Sequence, residues 1–192
     1  MVQASAPLLT LDAFLQLPET QPASEYFNYQ AIQKPMPQGE HSLIRVALCK
    51  AVDQVAEPQR IAKAFSELRC VFGGAAIVPD VSVFRWERIP RTPSGRVANR
   101  FEVHPDWAIE ILSPDQAQTR PLEKLLHCAE HGTEIGWLID PEAESILTLS
   151  AESQIKLFRG SQVLPALTGV DLALSADDVF DWLRLPGEYD KR

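Results

Sequence analysis

The chain has 192 residues, 45% of them apolar, and a formal net charge of −8. That length and apolar share suit one globular domain with a sizeable core, and no apolar run approaches the length of a membrane span. The acidic balance weighs against a protein that coats nucleic acid non-specifically, though not against an enzyme whose carboxylates hold a metal. Thr10 caps a short helix over 11–17 that Pro18 ends. Residues 26–33 alternate aromatic and polar and read as one strand. PMPQG is a turn, and from 40 to about 55 Leu43, Ile44, Ala47, Leu48, Ala51 and Val55 fall at helical spacing. Strands then crowd together: 61–65, 68–72, a Gly73–Gly74 turn, 77–84 and 107–112. A helix over 118–131 carries the stripe Leu122, Leu125, Leu126 and Ala129, with Gly132 as its stop. IGWLID at 135–140 is an apolar interior strand that Pro141 breaks; 145–149 and 154–158 read as a hairpin, and Ser175 caps a last helix over 176–183.

The strand–helix–strand unit over 107–140 calls for a right-handed parallel crossover. The order of elements therefore predicts an α/β fold, a mixed central sheet flanked by helices, in one domain over 1–192. Its core spans about 10–141, followed by a C-terminal hairpin and helix. The N-terminus MVQASAPLLTLDAFLQLPET has no basic n-region and no long apolar core. No signal peptide or lipid anchor is expected, and the cytoplasm is the expected compartment. Cys49, Cys70 and Cys128 are odd in number and far apart, which argues against a disulfide framework and a zinc ribbon.

Two apolar runs each carry a single acid: Asp80 in IVPDVSVF and Glu110 in DWAIEILSP. An unpaired carboxylate in a doubly buried strand is costly. Three arrangements relieve the cost: the acid faces water, an arginine pairs with it, or a cation sits between the two acids. If the acids share a sheet face, their oxygens suit a divalent ion such as magnesium, with water completing the shell. Such an ion lowers the pKa of bound water and offsets charge on a phosphodiester transition state.

PDVSV at 79–83, EILSP at 110–114, the helix bearing Lys124 and GWLIDP at 136–141 resemble the Uma-type family of restriction endonucleases, within the PD-(D/E)xK nuclease superfamily. The resemblance runs from about Thr10 to Pro141 and continues weakly to the end. It implies a restriction-endonuclease-like sandwich that hydrolyses DNA phosphodiesters with Mg2+, Mn2+ being an alternative. By resemblance Asp80 and Glu110 are metal ligands, and the Ile111 backbone carbonyl is a third. Lys124 matches the family's lysine on the following helix, Glu25 an acid before the first strand, and His41 a histidine opening the first long helix. Three departures stand out. The wider superfamily has a lysine two residues after the glutamate, where this chain has Leu112, and the family's acid one turn before Lys124 is Arg120. The aromatic one turn after it is Cys128. On a helical wheel, Lys124 also stands opposite the Leu122–Leu125–Leu126–Ala129 stripe, so a helix docked by that stripe turns Lys124 to solvent. A tilted helix at the sheet edge lets the long side chain reach back.

RWERIPRTPSGRVANR, 85–100, sets Arg85, Arg88, Arg91, Arg96 and Arg100 against Glu87 alone. It reads as a solvated loop or as a phosphate-contacting arm. His127 and His131 stand at i, i+4, but no third ligand is evident nearby and no acid occupies the position a zinc peptidase motif requires. No Walker motif, dinucleotide fingerprint or nucleophile elbow occurs. The functions in view are a DNA endonuclease, expected to work as a homodimer, and a catalytically silent nuclease-fold protein acting in binding or assembly. Hydrolysis of RNA or a small phosphodiester is a third.

Overall fold

The computed structural model describes residues 9–184. The first eight residues of the expected leaderless N-terminus and the last eight of the expected domain lie outside the described residues. The elements in chain order are α1 (Leu11–Leu15), β1 (Ser24–Phe27), β2 (Gln30–Gln33), α2 (Gly39–Ala56), β3 (Ala62–Ser66), β4 (Cys70–Phe72) and β5 (Ala75–Ile77). They continue with β6 (Val81–Arg85), β7 (Trp107–Ile111), α3 (Thr119–Glu130), β8 (Ile135–Asp140), β9 (Ser145–Ser150), β10 (Ile155–Phe158) and α4 (Ala176–Asp181).

A six-stranded sheet runs β10-β9-β8-β7-β6-β3, and a second, four-stranded sheet runs β2-β1-β5-β4. In the larger sheet β7 and β8 pair in parallel across α3, as the crossover expectation requires, while every other neighbour is antiparallel. Side chains alternate along each strand. Val81, Val83, Trp107, Ile109, Trp137 and Ile139 meet Ile44, Leu48, Val52 and Ala56 of α2 on one face, with Val179 and Phe180 of α4. Phe84, Ala108, Leu112 and Leu138 face the other way, toward Leu125 and Cys128 of α3 and the smaller sheet. Glu110, in step with Ala108 and Leu112, faces α3. Among the described residues no helix is long and apolar enough to cross a membrane.

The smaller sheet was not expected, and it arises from two breaks in apparent strands. The run 26–33 folds back at Asn28 and Tyr29, both with positive φ (51° and 61°), so β1 and β2 form a hairpin. A two-residue turn of this kind needs positive φ at both central positions, and tyrosine at the second hides the signal. The run 77–84 splits into β5 and β6, which belong to different sheets. Pro79 has no N–H to give a ladder, so pairing stops there and the chain crosses from one sheet to the other over Val78, Pro79 and Asp80.

Helix α3 also docks differently from its apolar wheel. Its buried residues are Pro121, Lys124, Leu125 and Cys128, while Leu122, Leu126 and Ala129 pack only in part. The buried set is itself an i, i+3, i+4, i+7 stripe. A lysine takes a core position because carboxylates await it there. Close approach of α3 depends on Gly136 in β8: a Cβ at that position would lie 3.1 Å from Leu125 Cδ2 and 3.4 Å from Leu125 Cβ. Gly136→Ala is expected to destabilise the protein by about 1–3 kcal/mol through overpacking. Urea unfolding measures it, and an unchanged midpoint would contradict the tight α3–β8 contact.

Candidate functional site

One cleft is lined by Glu25, Lys34, His41, Asp80, Glu110, Ile111, Arg120 and Lys124. They arrive from several pieces of the fold. Glu25 lies in β1, Lys34 just past β2, His41 in the first turn of α2, Glu110 in β7 and Lys124 in α3. Asp80 sits at the crossing between the sheets. The β6–β7 register pairs Val81 with Ile109, and continuing it by one residue brings Asp80 opposite Glu110.

The ionic groups are almost wholly buried: Asp80 is 1% exposed, and Glu25, Glu110 and Lys124 are each 3% exposed. Burial of this kind is tolerated only when charges are paired. Lys124 Nζ lies 2.9 Å from Glu25 Oε1 and 2.7 Å from Glu110 Oε1. Glu25 is itself fixed by the Val78 N–H, which donates to Oε1 at 2.8 Å. Asp80 is held on three sides. Lys34 Nζ donates to Oδ1 at 2.6 Å, the Ile111 N–H donates to Oδ2 at 2.7 Å, and His41 Nε2 lies 3.2 Å from Oδ2. Lys34 also donates to the Val78 carbonyl at 2.7 Å. The Glu110–Lys124 contact has ion-pair length but poor hydrogen-bond alignment, so buried Glu110 Oε1 keeps an unfilled acceptor site.

Burial works to raise the Asp80 pKa, but Lys34 and His41 outweigh it and hold the carboxyl below the usual aspartate range. Burial would lower the Lys124 pKa, yet Glu110, Glu25 and Asp80 hold its ammonium above the ordinary lysine value. For Glu110 burial wins. Lys124 and Lys34 oppose it, the nearby Asp80 and Glu25 charges assist it, and its pKa is pushed up to about 7.

The five residues expected at the site therefore converge, and the solvent-facing orientation of Lys124 read from its helical wheel is overturned. The Ile111 backbone does reach the cluster, with its N–H on Asp80. In a strand the N–H and C=O of one residue point the same way, so the carbonyl faces the same edge. Lys34 escaped the sequence reading. It sits in QKPMPQG, an unremarkable turn, and its partner Asp80 is 46 residues away. Leu112, at the position of the superfamily's lysine, is a core residue 5% exposed.

The arginine-rich segment does not gather at the cleft. Arg85 closes β6 at the end away from Asp80, five residues or roughly 17 Å along the strand. Its guanidinium contacts Glu134 Oε2 at 2.6 Å, and that of Arg88 pairs with Asp106. Arg91 lies over the Trp86 ring, while Arg96 and Arg100 are exposed. Arg85 and Arg88 thus serve internal ion pairs. The expectation that His127 and His131 lack a third ligand is also corrected: Glu130 joins them, with donor atoms all within 4.8 Å of one another.

Fold and cleft together define a nuclease-like α/β protein, with a mixed sheet between helical layers and an acid–lysine cluster at the sheet crossing. The Uma2 family, described as "Putative restriction endonuclease", matches residues 11–177, and the chain belongs to that family. A crystal structure described as a putative nuclease of DUF820, from Anabaena variabilis ATCC 29413, is 50% identical to the chain. The match covers 91% of this chain and 98% of that one, with a TM-score of 0.89. None of the curated proteins compared matches.

The raised Glu110 pKa sets a pH dependence for the metal-free protein. Between about 4.5 and about 7 the folded state keeps a proton that the unfolded chain releases, so this group's contribution makes stability fall as pH rises through that window. Burial lowers the His104 and His127 pKa values, and these act in the opposite sense in any variant that retains them. The stability difference between wild type and Glu110→Gln is therefore expected to shift in favour of Gln from pH 5 to pH 7.5. Urea melts across that range measure it, and parallel curves would contradict it.

Proposed function

We propose that the protein is a metal-dependent DNA endonuclease that hydrolyses phosphodiester bonds in this cleft. The observation that carries the reading is Lys124, buried against Glu25 and Glu110 in the cleft that also holds Asp80. The donor set suits a hard divalent cation such as Mg2+ or Mn2+. It offers carboxylate oxygens, and one of them, Glu110 Oε1, has an acceptor site free. Asp80 and Glu110 would hold the ion, with the Ile111 carbonyl as a further ligand. A bound ion supplies Lewis acidity and a more acidic water. Lys124 would orient the attacking water and balance charge on the scissile phosphate. Glu25 positions that lysine, and His41 with Lys34 positions Asp80. Cutting both strands of a duplex favours two symmetric copies, so the reading includes a homodimer working in the cytoplasm.

A second reading is a catalytically silent nuclease-fold protein acting in binding or assembly. The contact favouring it is Lys34 on Asp80 Oδ1 at 2.6 Å, a cation already placed where a metal would need a carboxylate oxygen. Titration calorimetry with Mg2+ and Mn2+, beside plasmid nicking, separates the two. The endonuclease is expected to bind at least one ion and nick DNA, and Asp80→Asn to lose about 100-fold or more in rate. A folded wild type that binds neither ion and leaves the plasmid intact would overturn the enzyme.

A further inference from the structure

We infer that Arg120 is the cation of the cleft that takes the substrate anion, binding a phosphate oxygen. The inference rests on the nuclease reading for the identity of that anion. Four cationic or potentially cationic side chains line the cleft: Lys34, His41, Arg120 and Lys124. Three are committed to protein carboxylates, Lys34 and His41 to Asp80, and Lys124 to Glu25 and Glu110. Among the described residues, Arg120 has no carboxylate in ion-pair range, and its buried Nη2 has no hydrogen-bond partner. A guanidinium keeps its charge at any physiological pH, and a buried charged donor left unpaired is costly. An anion entering the cleft would meet that need.

The position suits the task. Arg120 and Lys124 stand at i, i+4 on α3, about one helical turn apart on the same side. A phosphodiester drawn to the reacting centre beside Lys124 therefore passes Arg120. The first turn of α3 carries no acid to compete for it. A guanidinium fork also matches two oxygens of one phosphate, which a lysine at this place would not. Both lysines of the site already meet carboxylates, which leaves the arginine as the main anchor for the substrate anion.

The test is fluorescence anisotropy of a labelled DNA duplex in EDTA, which prevents turnover, with wild type, Arg120→Ala and Arg120→Lys over a range of salt. Arg120→Ala is expected to weaken binding about tenfold and to lower the slope of log K against log salt by about 0.9. Arg120→Lys is expected to restore the slope but not the full affinity. Unchanged affinity and slope in Arg120→Ala would overturn the inference. A wild type that binds no duplex would sink the DNA reading instead. The arginine side-chain N–H resonance of Arg120 then decides between outcomes on titration with inorganic phosphate. A saturable shift supports the anion site, and an unmoved signal overturns it.

Discussion

The buried ammonium of Lys124, shared by Glu25 and Glu110, is the interaction on which the site depends. It joins α3 to one strand from each sheet, so the helix, the small sheet and the large sheet must all be in place before all three charges are paired. Removing one partner strands the others in a low-dielectric interior, which is far worse than never burying them. The cluster therefore favours one docking of α3. It places a lysine, rather than a leucine, on the helix's inner face.

Asp80 shows how a break in regular structure builds the cluster. Pro79 ends ladder pairing, the chain crosses between sheets, and the next side chain is free to collect Lys34, His41 and the Ile111 N–H. Lys34, Arg120 and Lys124 face four carboxylates in the cleft, Glu25, Glu67, Asp80 and Glu110, leaving the acids in excess before His41 is counted. That excess is visible in Glu110, whose pKa is pushed up to about 7 by burial and by its acidic neighbours. A divalent cation would relieve the same excess, which is why the arrangement suits metal chemistry. Lys34 meanwhile serves as a resident counter-charge on Asp80, and any ion drawn to that oxygen would have to compete with it.

Much of this was legible in the sequence where local pattern and tertiary role agree. The apolar strands β7 and β8, the crossover helix between them and the two isolated acids follow from periodicity and from the cost of burying a lone carboxylate. What escaped was non-local. The Asn28–Tyr29 turn was hidden because tyrosine seldom takes positive φ. The split at Pro79 was hidden because an apolar run continues through it. Apolar periodicity sent Lys124 to solvent because it cannot see that Glu25, 99 residues away, makes an inner position the better one. Lys34 lies in a turn with no pattern at all. Arg85 and Arg88 looked like free charges of the 85–100 segment because sequence counts charge but does not show that Glu134 and Asp106 already hold them.

Metal-dependent hydrolysis in this cleft would require Asp80 and Glu110 to hold one divalent cation. Crystals grown with Mn2+ and measured at a wavelength where manganese scatters anomalously test it most directly. One anomalous peak is expected between the two carboxylates, with Lys34 withdrawn from Asp80 Oδ1 and Lys124 still on Glu25. No peak at saturating Mn2+, with Lys34 still bonded to Asp80, would contradict it.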